Sequence, residues 1–314
     1  MSPRTKAALI LVAITIVWGL TFPMNHWALD KSFDPIAFSG VRFTFAAFAF
    51  LPLAIRGSGP LPKSFKGKTP GKLLWFWGGL AAGFPLIIYS ILQYMGLEQT
   101  SSGKAGFISG MYVIIVPLIA MFTGRFPGIP FWIGLALAVC GLWLLSNPGG
   151  EGSLNRGDAL MLLSATFTAV HVLVTSRFSN RVDPVRFVTV QLFLTGIVSL
   201  AIAVFRGNMP PSSLFWQTLP VSLFGIISLA GGILGQTAAQ RHMRSSEVAL
   251  MLQLQGVFAA LFAMIFMDEV MTMLMWFGAF LVMAGAAMAQ SRSKRGAGSP
   301  AGKPSAGQQA PAGS

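Results

Sequence analysis

The chain has 314 residues and a net charge of +13; 54% of its residues are hydrophobic and only 10% are charged. Soluble domains carry about 25% charged residues, so this composition excludes an ordinary soluble domain and indicates a protein that crosses a membrane several times. The positive charge does not indicate a nucleic-acid partner, because the lysines and arginines of membrane proteins gather in cytoplasmic loops.

Long apolar segments follow one another along the chain, each close to the ~20 residues that a membrane-spanning helix needs. We predict ten, at residues 7–27, 35–55, 73–96, 104–123, 128–146, 157–177, 184–205, 214–238, 247–267 and 271–290. The first lacks an evident small-residue cleavage site, which favours a retained helix over a signal peptide. Residues 57–72 are predicted to form a cytoplasmic loop, and residues 291–314 a disordered cytoplasmic tail.

The basic residues predict the orientation of these helices. With the N-terminus inside, most of the 22 lysines and arginines lie in inner segments. The outer segments then hold Lys31, Lys104, Arg156 and Arg206. Ten spans with both termini cytoplasmic fit this bias, whereas nine or eleven spans would scatter it.

One helix start occurs twice, about half a chain apart. Asp34–Pro35 and Asp183–Pro184 each open a long apolar segment. Aspartate is a favourable N-cap, and proline at the first helical position lacks only an N–H that would be unpaired anyway. The ninth position of the two copies differs, because it holds Arg42 in the first and Gln191 in the second.

A second pair of motifs supports an internal repeat, since Trp132–Gly134 corresponds to Trp276–Gly278. Residues 1–148 and 149–290 are therefore predicted to form two five-helix repeats. Each repeat holds an odd number of spans, so the second would be inverted in the bilayer. Inverted repeats are the architecture of many secondary transporters, which bind their cargo near the midplane.

Short motifs on several helices are shared with a known family: Trp18–Gly19, Arg42 with the apolar run after it, Thr100–Ala105 and Pro117. On these residues the chain resembles the drug/metabolite transporter superfamily, and within it the EamA-type exporters, over about residues 7–290. The resemblance implies a transporter of two inverted five-helix halves, similar to bacterial exporters of amino acids, including aromatic ones. Gly124–Arg125 departs from the Gly-Glu pair that often ends the fourth helix in that family.

Polar side chains within the predicted spans indicate an internal cavity, because such side chains face the bundle interior or a water-filled space. Each could instead bond to a neighbouring helix. Their presence on corresponding helices of both repeats favours a shared cavity. The residues predicted to bind cargo are Trp18, Asn25, Arg42, Tyr89, Gln93, Tyr112, His171, Gln236 and Gln253.

The nine acidic residues all lie in predicted loops or at helix ends. Ion coupling commonly uses a carboxylate inside the membrane, so we predict uncoupled facilitated diffusion. The alternative is a proton-coupled multidrug or metabolite antiporter, with His26 and His171 as candidate proton carriers.

Arg42 is the one basic residue well inside a predicted span. It could meet a carboxylate of the cargo; a structural role, or extension to the outer surface near Asp34, is slightly favoured. A single cation does not suit phosphorylated cargo, which needs several cationic groups.

These features predict an inner-membrane exporter of amino acids or similar small metabolites that works by alternating access. A membrane enzyme fits less well, because the chain has no HExxH or GxSxG motif and no acidic residue within a span. A channel is a third interpretation that an inverted repeat does not exclude. No cofactor, metal or nucleic acid is expected. The expected partners are a small-molecule substrate and the lipid bilayer, with the chain a monomer or a homodimer in the bacterial inner membrane.

Overall fold

The computed structural model describes residues 1–57, 73–100, 102–122, 128–146, 155–266 and 272–291. Regular structure in these ranges is entirely helical. The elements are α1 (Pro3–Asp30), α2 (Pro35–Arg56), α3 (Leu74–Leu97), α4 (Ser102–Gly110), α5 (Tyr112–Met121), α6 (Ile129–Ser146), α7 (Arg156–Phe178), α8 (Pro184–Phe205), α9 (Ser212–Gly225), a π segment (Ile226–Gly231), α10 (Gly232–Ala239), α11 (Ser245–Leu252), α12 (Leu254–Phe266) and α13 (Met273–Ser291).

The helices have the length and composition of a membrane protein. Among the described residues, seven helical stretches are long and apolar enough to cross a bilayer. Three shorter apolar helices, Ile108–Ile119, Ile129–Gly141 and Met273–Gly285, accompany them. The prediction of an all-helical membrane protein is confirmed. The predicted basic loop at 57–72 and the tail lie, apart from their first residue, outside the described ranges.

Three stretches predicted as single helices are interrupted. Two interruptions are tighter turns of the backbone, at Met111 between α4 and α5 and at Gln253 between α11 and α12. Each of these residues donates its N–H to the carbonyl three positions earlier, and its own carbonyl accepts the N–H three positions later. The π segment interrupts the third stretch between α9 and α10. Such irregular turns change which carbonyls are left for side chains, and they often mark functional sites.

The two Asp-Pro helix starts form as predicted. Asp34 caps α2 by accepting the N–H groups of Ile36 and Ala37 at 2.9 and 3.0 Å. Asp183 caps α8 in the same way, with both donors at 3.0 Å. We call the end of the bundle where α1 meets α2 the Asp34 end, and the end where α7 meets α8 the Asp183 end.

Helix packing relies on glycines where two helices come closest. α6 packs extensively against α13, as α2 does against α8 and α3 against α7. A side chain at Gly134 would lie 2.7 Å from the Gly285 carbonyl oxygen, and one at Gly141 would collide with the Gly278 carbonyl. Glycine removes this obstacle and lets the two backbones touch, which is how many membrane helices associate.

The glycine contact predicts a matched pair of variants. Gly134→Ala should destabilise the protein by about 1–3 kcal/mol, because the new methyl group must push α6 away from α13. Gly106→Ala is the control, since a side chain there meets nothing within 4 Å and alanine favours a helix. Thermal unfolding of both variants in detergent measures the difference. An equal Tm for the two would contradict the contact.

Candidate functional site

The described residues surround a cavity of about 90 Å³. Its lining comes from α1 to α5, α7, the π segment and α10 to α12. Its lining is mostly aromatic, amide and hydroxyl groups, with one arginine and one histidine. The lining residues that carry polar atoms are Trp18, Thr21, Asn25, Arg42, Tyr89, Ser90, Gln93, Tyr94, Ser109, Tyr112, Thr168, His171, Ser228, Gln236 and Gln255.

Arg42 forms one wall of the cavity and is only 1% exposed. Its Nη1 donates to the Asn25 side-chain oxygen and, at 2.8 Å, to the Tyr94 hydroxyl. Its Nη2 donates to Ser228 Oγ at 3.0 Å, and the guanidinium lies over the Phe38 ring at 5.3 Å. Of the two roles that the sequence favoured, extension of Arg42 to the outer surface is therefore wrong, because polar groups of three other helical elements hold the side chain inside the bundle.

Trp18 joins the first half of the chain to the π segment. Its indole Nε1 donates to the Ser228 carbonyl at 2.6 Å. A side chain at Gly232 would collide with the indole ring, so glycine is needed for this approach. Ser228 thus bonds two cavity residues, Trp18 through its carbonyl and Arg42 through its hydroxyl.

His171 also lines the cavity and is bonded to Gln191, the counterpart of Arg42. Its Nε2 lies 2.8 Å from Oε1 of Gln191, whose amide nitrogen donates to the Phe187 carbonyl. That orientation of the amide leaves an oxygen facing the ring, so Nε2 carries the hydrogen. The ring also lies 5.6 Å from the Tyr89 ring. The ninth residue of each repeated motif, Arg42 or Gln191, therefore bonds to a buried polar residue of the preceding helix.

The glutamines divide into two groups. Gln93, Gln236 and Gln255 line the cavity. Gln253 does not: its Nε2 donates to the Gly110 carbonyl at 2.7 Å. That bond joins the two interruptions at Met111 and Gln253, since a carbonyl at the end of α4 has no helical partner of its own. Gln253 is a structural residue in this conformation, contrary to its predicted place in the cavity.

Eight of the nine predicted site residues lie around one cavity, and their role in binding cargo stays a prediction. Sequence reasoning missed Tyr94 and Ser228, which hold Arg42, and chose Gln253 over Gln255. Tyr94 directly follows Gln93, and successive residues of a helix point about 100° apart, so the spacing of Tyr89 and Gln93 gives no indication of it. Ser228 reaches the cavity from the π segment, which no sequence pattern indicated. His26 lies outside the described lining, with Nδ1 3.1 Å from Asp30 Oδ1 at the end of α1.

A wider vestibule of about 520 Å³ opens at the Asp34 end. Its walls include Asp34, Glu98, Arg206 and Asn208, and the Asn208 amide donates to Asp34 at 2.9 Å. Reduced solvation, together with the negative charge of Asp34, raises the pKa of Glu98. This end of the bundle is open enough to admit water and small solutes.

The Asp183 end is held together by arginines. Arg241, just after α10, donates to the Ser179 carbonyl at 2.7 Å and to the Val182 carbonyl at 3.0 Å. Burial lowers the pKa of the Arg241 guanidinium, while Asp183 acts in the opposite direction. Arg186 donates to the Ala54 carbonyl at 3.0 Å. These bonds tie the α7–α8 turn to α10 and the end of α2 to α8.

The two kinds of glutamine predict different stabilities. Gln253→Ala should destabilise the protein by about 1–3 kcal/mol, because the Gly110 carbonyl would be left buried without a partner. Gln236→Ala should cost less, since Gln236 is 3% exposed and its Nε2 has no hydrogen-bond partner among the described residues. Thermal unfolding without ligand compares them. A larger loss of stability for Gln236→Ala would contradict these assignments.

The fold and the cavity together define a multi-pass membrane protein built around an internal polar cavity. Comparison with known proteins narrows this class. The EamA-like transporter family matches the chain twice, over residues 5–147 and 155–290. The chain belongs to this family and is a membrane transporter.

Individual relatives match most of the chain. An uncharacterized transporter from Archaeoglobus fulgidus is 32% identical over 288 residues, which cover 89% of this chain and 84% of the relative. The uncharacterized inner membrane transporter YedA of Escherichia coli is 25% identical over 69% of each chain. A solved crystal structure with 16% identity has a TM-score of 0.70 over 93% of this chain and 99% of the other, which supports the fold alone.

Proposed function

We propose that this transporter exports amino acids or similar small metabolites across the bacterial inner membrane by alternating access around the central cavity. The observation that carries the proposal is the central cavity itself, to which residues before 148 and residues after 149 both contribute polar groups. Amide and aromatic groups suit a solute that is neutral, zwitterionic or aromatic. The relative from Escherichia coli is named an inner membrane transporter, which favours that location here.

Within this proposal the chain consists of ten spans in two inverted halves, residues 1–148 and 149–290, with both termini cytoplasmic. The two separate matches to the family support the division. So do the equivalent caps of Asp34 and Asp183 and the equivalent interruptions at Met111 and Gln253.

Alternating access is supported by the difference between the two ends of the bundle. The vestibule opens at the Asp34 end, the outer side in the predicted orientation. At the Asp183 end, Arg241 and Arg186 bond to backbone carbonyls of neighbouring helices. The central cavity is smaller than the about 300–1,000 Å³ of ordinary ligand pockets, so it must widen before it holds cargo. The helices around it therefore need to move during transport.

Uncoupled transport is supported by the charges of the cavity. Its described lining contains neither aspartate nor glutamate, the groups that commonly bind sodium or protons within a membrane. The second candidate, a proton-coupled antiporter, is favoured by one observation. His171 lies in the lining, and an imidazole can carry a proton.

Proteoliposomes distinguish these two mechanisms. Uncoupled transport should show saturable counterflow, while a pH gradient should not drive accumulation above equilibrium, because the described lining offers no carboxylate to carry the proton. The His171→Gln variant should likewise show no accumulation driven by a pH gradient. Uphill accumulation driven by a pH gradient, and lost in His171→Gln, would establish the antiporter instead.

The arginine bonds at the Asp183 end predict a change in accessibility. In a Cys140→Ser background, a reporter cysteine at Ser109, which lines the cavity, reports on access from each side. Arg241→Ala should increase its labelling by a membrane-impermeant maleimide several-fold in inside-out vesicles, because the α7–α8 turn loses its bonds to Arg241.

The control for this experiment is Arg177→Ala, which removes an exposed arginine from the last turn of α7. The reporter cysteine at position 109 should be labelled in this variant as it is in the protein that keeps Arg177 and Arg241. Unchanged labelling of the Arg241→Ala protein, or an increase only from the outer side, would contradict closure by Arg241.

A further inference from the structure

We propose that Arg42 and the polar groups bonded to it form a carboxylate-binding subsite, so that the cargo is a small organic acid or amino acid recognised through its carboxylate. This inference rests on the proposed function, because the subsite lies in the transport cavity. It assigns a chemical class to the cargo and a specific place in the cavity to its charged group.

The first argument is charge balance. Arg42 is 1% exposed, and its guanidinium is a cation that offers only hydrogen-bond donors. A buried charge is costly unless an opposite charge or several strong hydrogen bonds compensate it. No carboxylate of the described residues forms an ion pair with Arg42, and its Nε has no hydrogen-bond partner in the described part of the chain. Three hydrogen bonds to neutral groups stabilise the guanidinium, but no described carboxylate neutralises it, so the cavity keeps a net positive charge.

The second argument is the direction of the hydrogen bonds. Asn25, Tyr94 and Ser228 each use an oxygen to accept from Arg42. The hydrogens of the Tyr94 and Ser228 hydroxyls and of the Asn25 amide then point away from Arg42 and can be donated. The groups that fix the guanidinium consequently add donors beside it. A site of donors around a cation selects an anion and rejects a cation.

The third argument is the number of charges. The described lining holds one arginine and no lysine. Phosphate groups carry nearly two charges and are usually held by several cationic groups, whereas one planar guanidinium matches one carboxylate through two parallel bonds. The rest of the described lining includes the neutral groups of Tyr89, Gln236 and Gln255, which suit an uncharged remainder of the cargo.

Gly225 makes room for this arrangement. A side chain there would lie 3.2 Å from Arg42 Nε and 3.3 Å from its Cβ. The absence of a side chain at Gly225 leaves the guanidinium space to approach Ser228, three residues later on the same irregular stretch. The position of the cation therefore depends on both halves of the chain: on α1, α2 and α3 from the first, and on the stretch from Gly225 to Ser228 from the second.

Binding to matched sets of small molecules tests the inference on the purified full-length protein. Each set consists of an amino acid, the acid without its ammonium group and the amine without its carboxylate. We choose phenylalanine, hydrocinnamate and phenethylamine, and leucine, isocaproate and isoamylamine. In at least one set, the acid and the amino acid should raise the Tm and quench tryptophan fluorescence, while the amine should do neither.

Variants of Arg42 localise the effect. Arg42→Gln should weaken binding of the acids by about tenfold to a hundredfold, since hydrogen bonds to a charged group are lost. Arg42→Lys keeps the charge but loses the planar pair of donors, and should weaken binding by about tenfold even if Arg42→Gln does not fold. Arg56→Gln removes an exposed arginine from the same helix and should bind acids like the wild type.

Three results would overturn the inference: amines that bind as tightly as the acids, acids that bind all Arg42 variants like the wild type, or a wild-type protein that binds no acid of either set. Counterflow in proteoliposomes is measured separately. Counterflow of a solute without a carboxylate would leave the transporter proposal standing and remove the subsite. Acids that bind but never exchange would leave the subsite standing and remove the transporter proposal.

Discussion

A buried positive charge determines how the centre of this bundle is built. The Arg42 side chain extends from α2 into the bundle, where it needs space at Gly225 and hydrogen-bond acceptors from α1, α3 and the π segment. Those acceptors fix the relative positions of helices that are far apart in the sequence. Four helical elements are thereby arranged around one guanidinium, and the cavity is the space that remains beside it.

Much of the fold follows from local physical rules and was predictable. Apolar segments of the right length predict spans because backbone groups in lipid must bond within their own helix. The Asp-Pro starts at Asp34 and Asp183 predict capped helices because the cap involves residues only two and three positions away. The face of α1 that carries Trp18 and Asn25 was predictable as well, since helical spacing alone brings such residues together.

The remaining features depend on contacts between helices and could not be read from a local pattern. An arginine seven residues into a membrane helix was slightly favoured to be structural or to extend to the surface, because the sequence does not show Ser228 or Tyr94 beside it. Gln253 and Gln255 looked equivalent until the interruption of α11 and α12 turned one toward Gly110 and the other into the cavity. The π segment itself carries no distinctive residue pattern.

The small size of the central cavity has a consequence for how strongly cargo is held. A space of about 90 Å³ is far below the about 300–1,000 Å³ of ordinary ligand pockets, so under the proposed mechanism cargo enters only the fraction of molecules in which the helices have separated. If that fraction is about 1%, the apparent dissociation constant is ~100 times the intrinsic one. Occupancy would then stay low until the solute becomes abundant. Such weak apparent binding suits the removal of a surplus rather than the capture of a scarce nutrient.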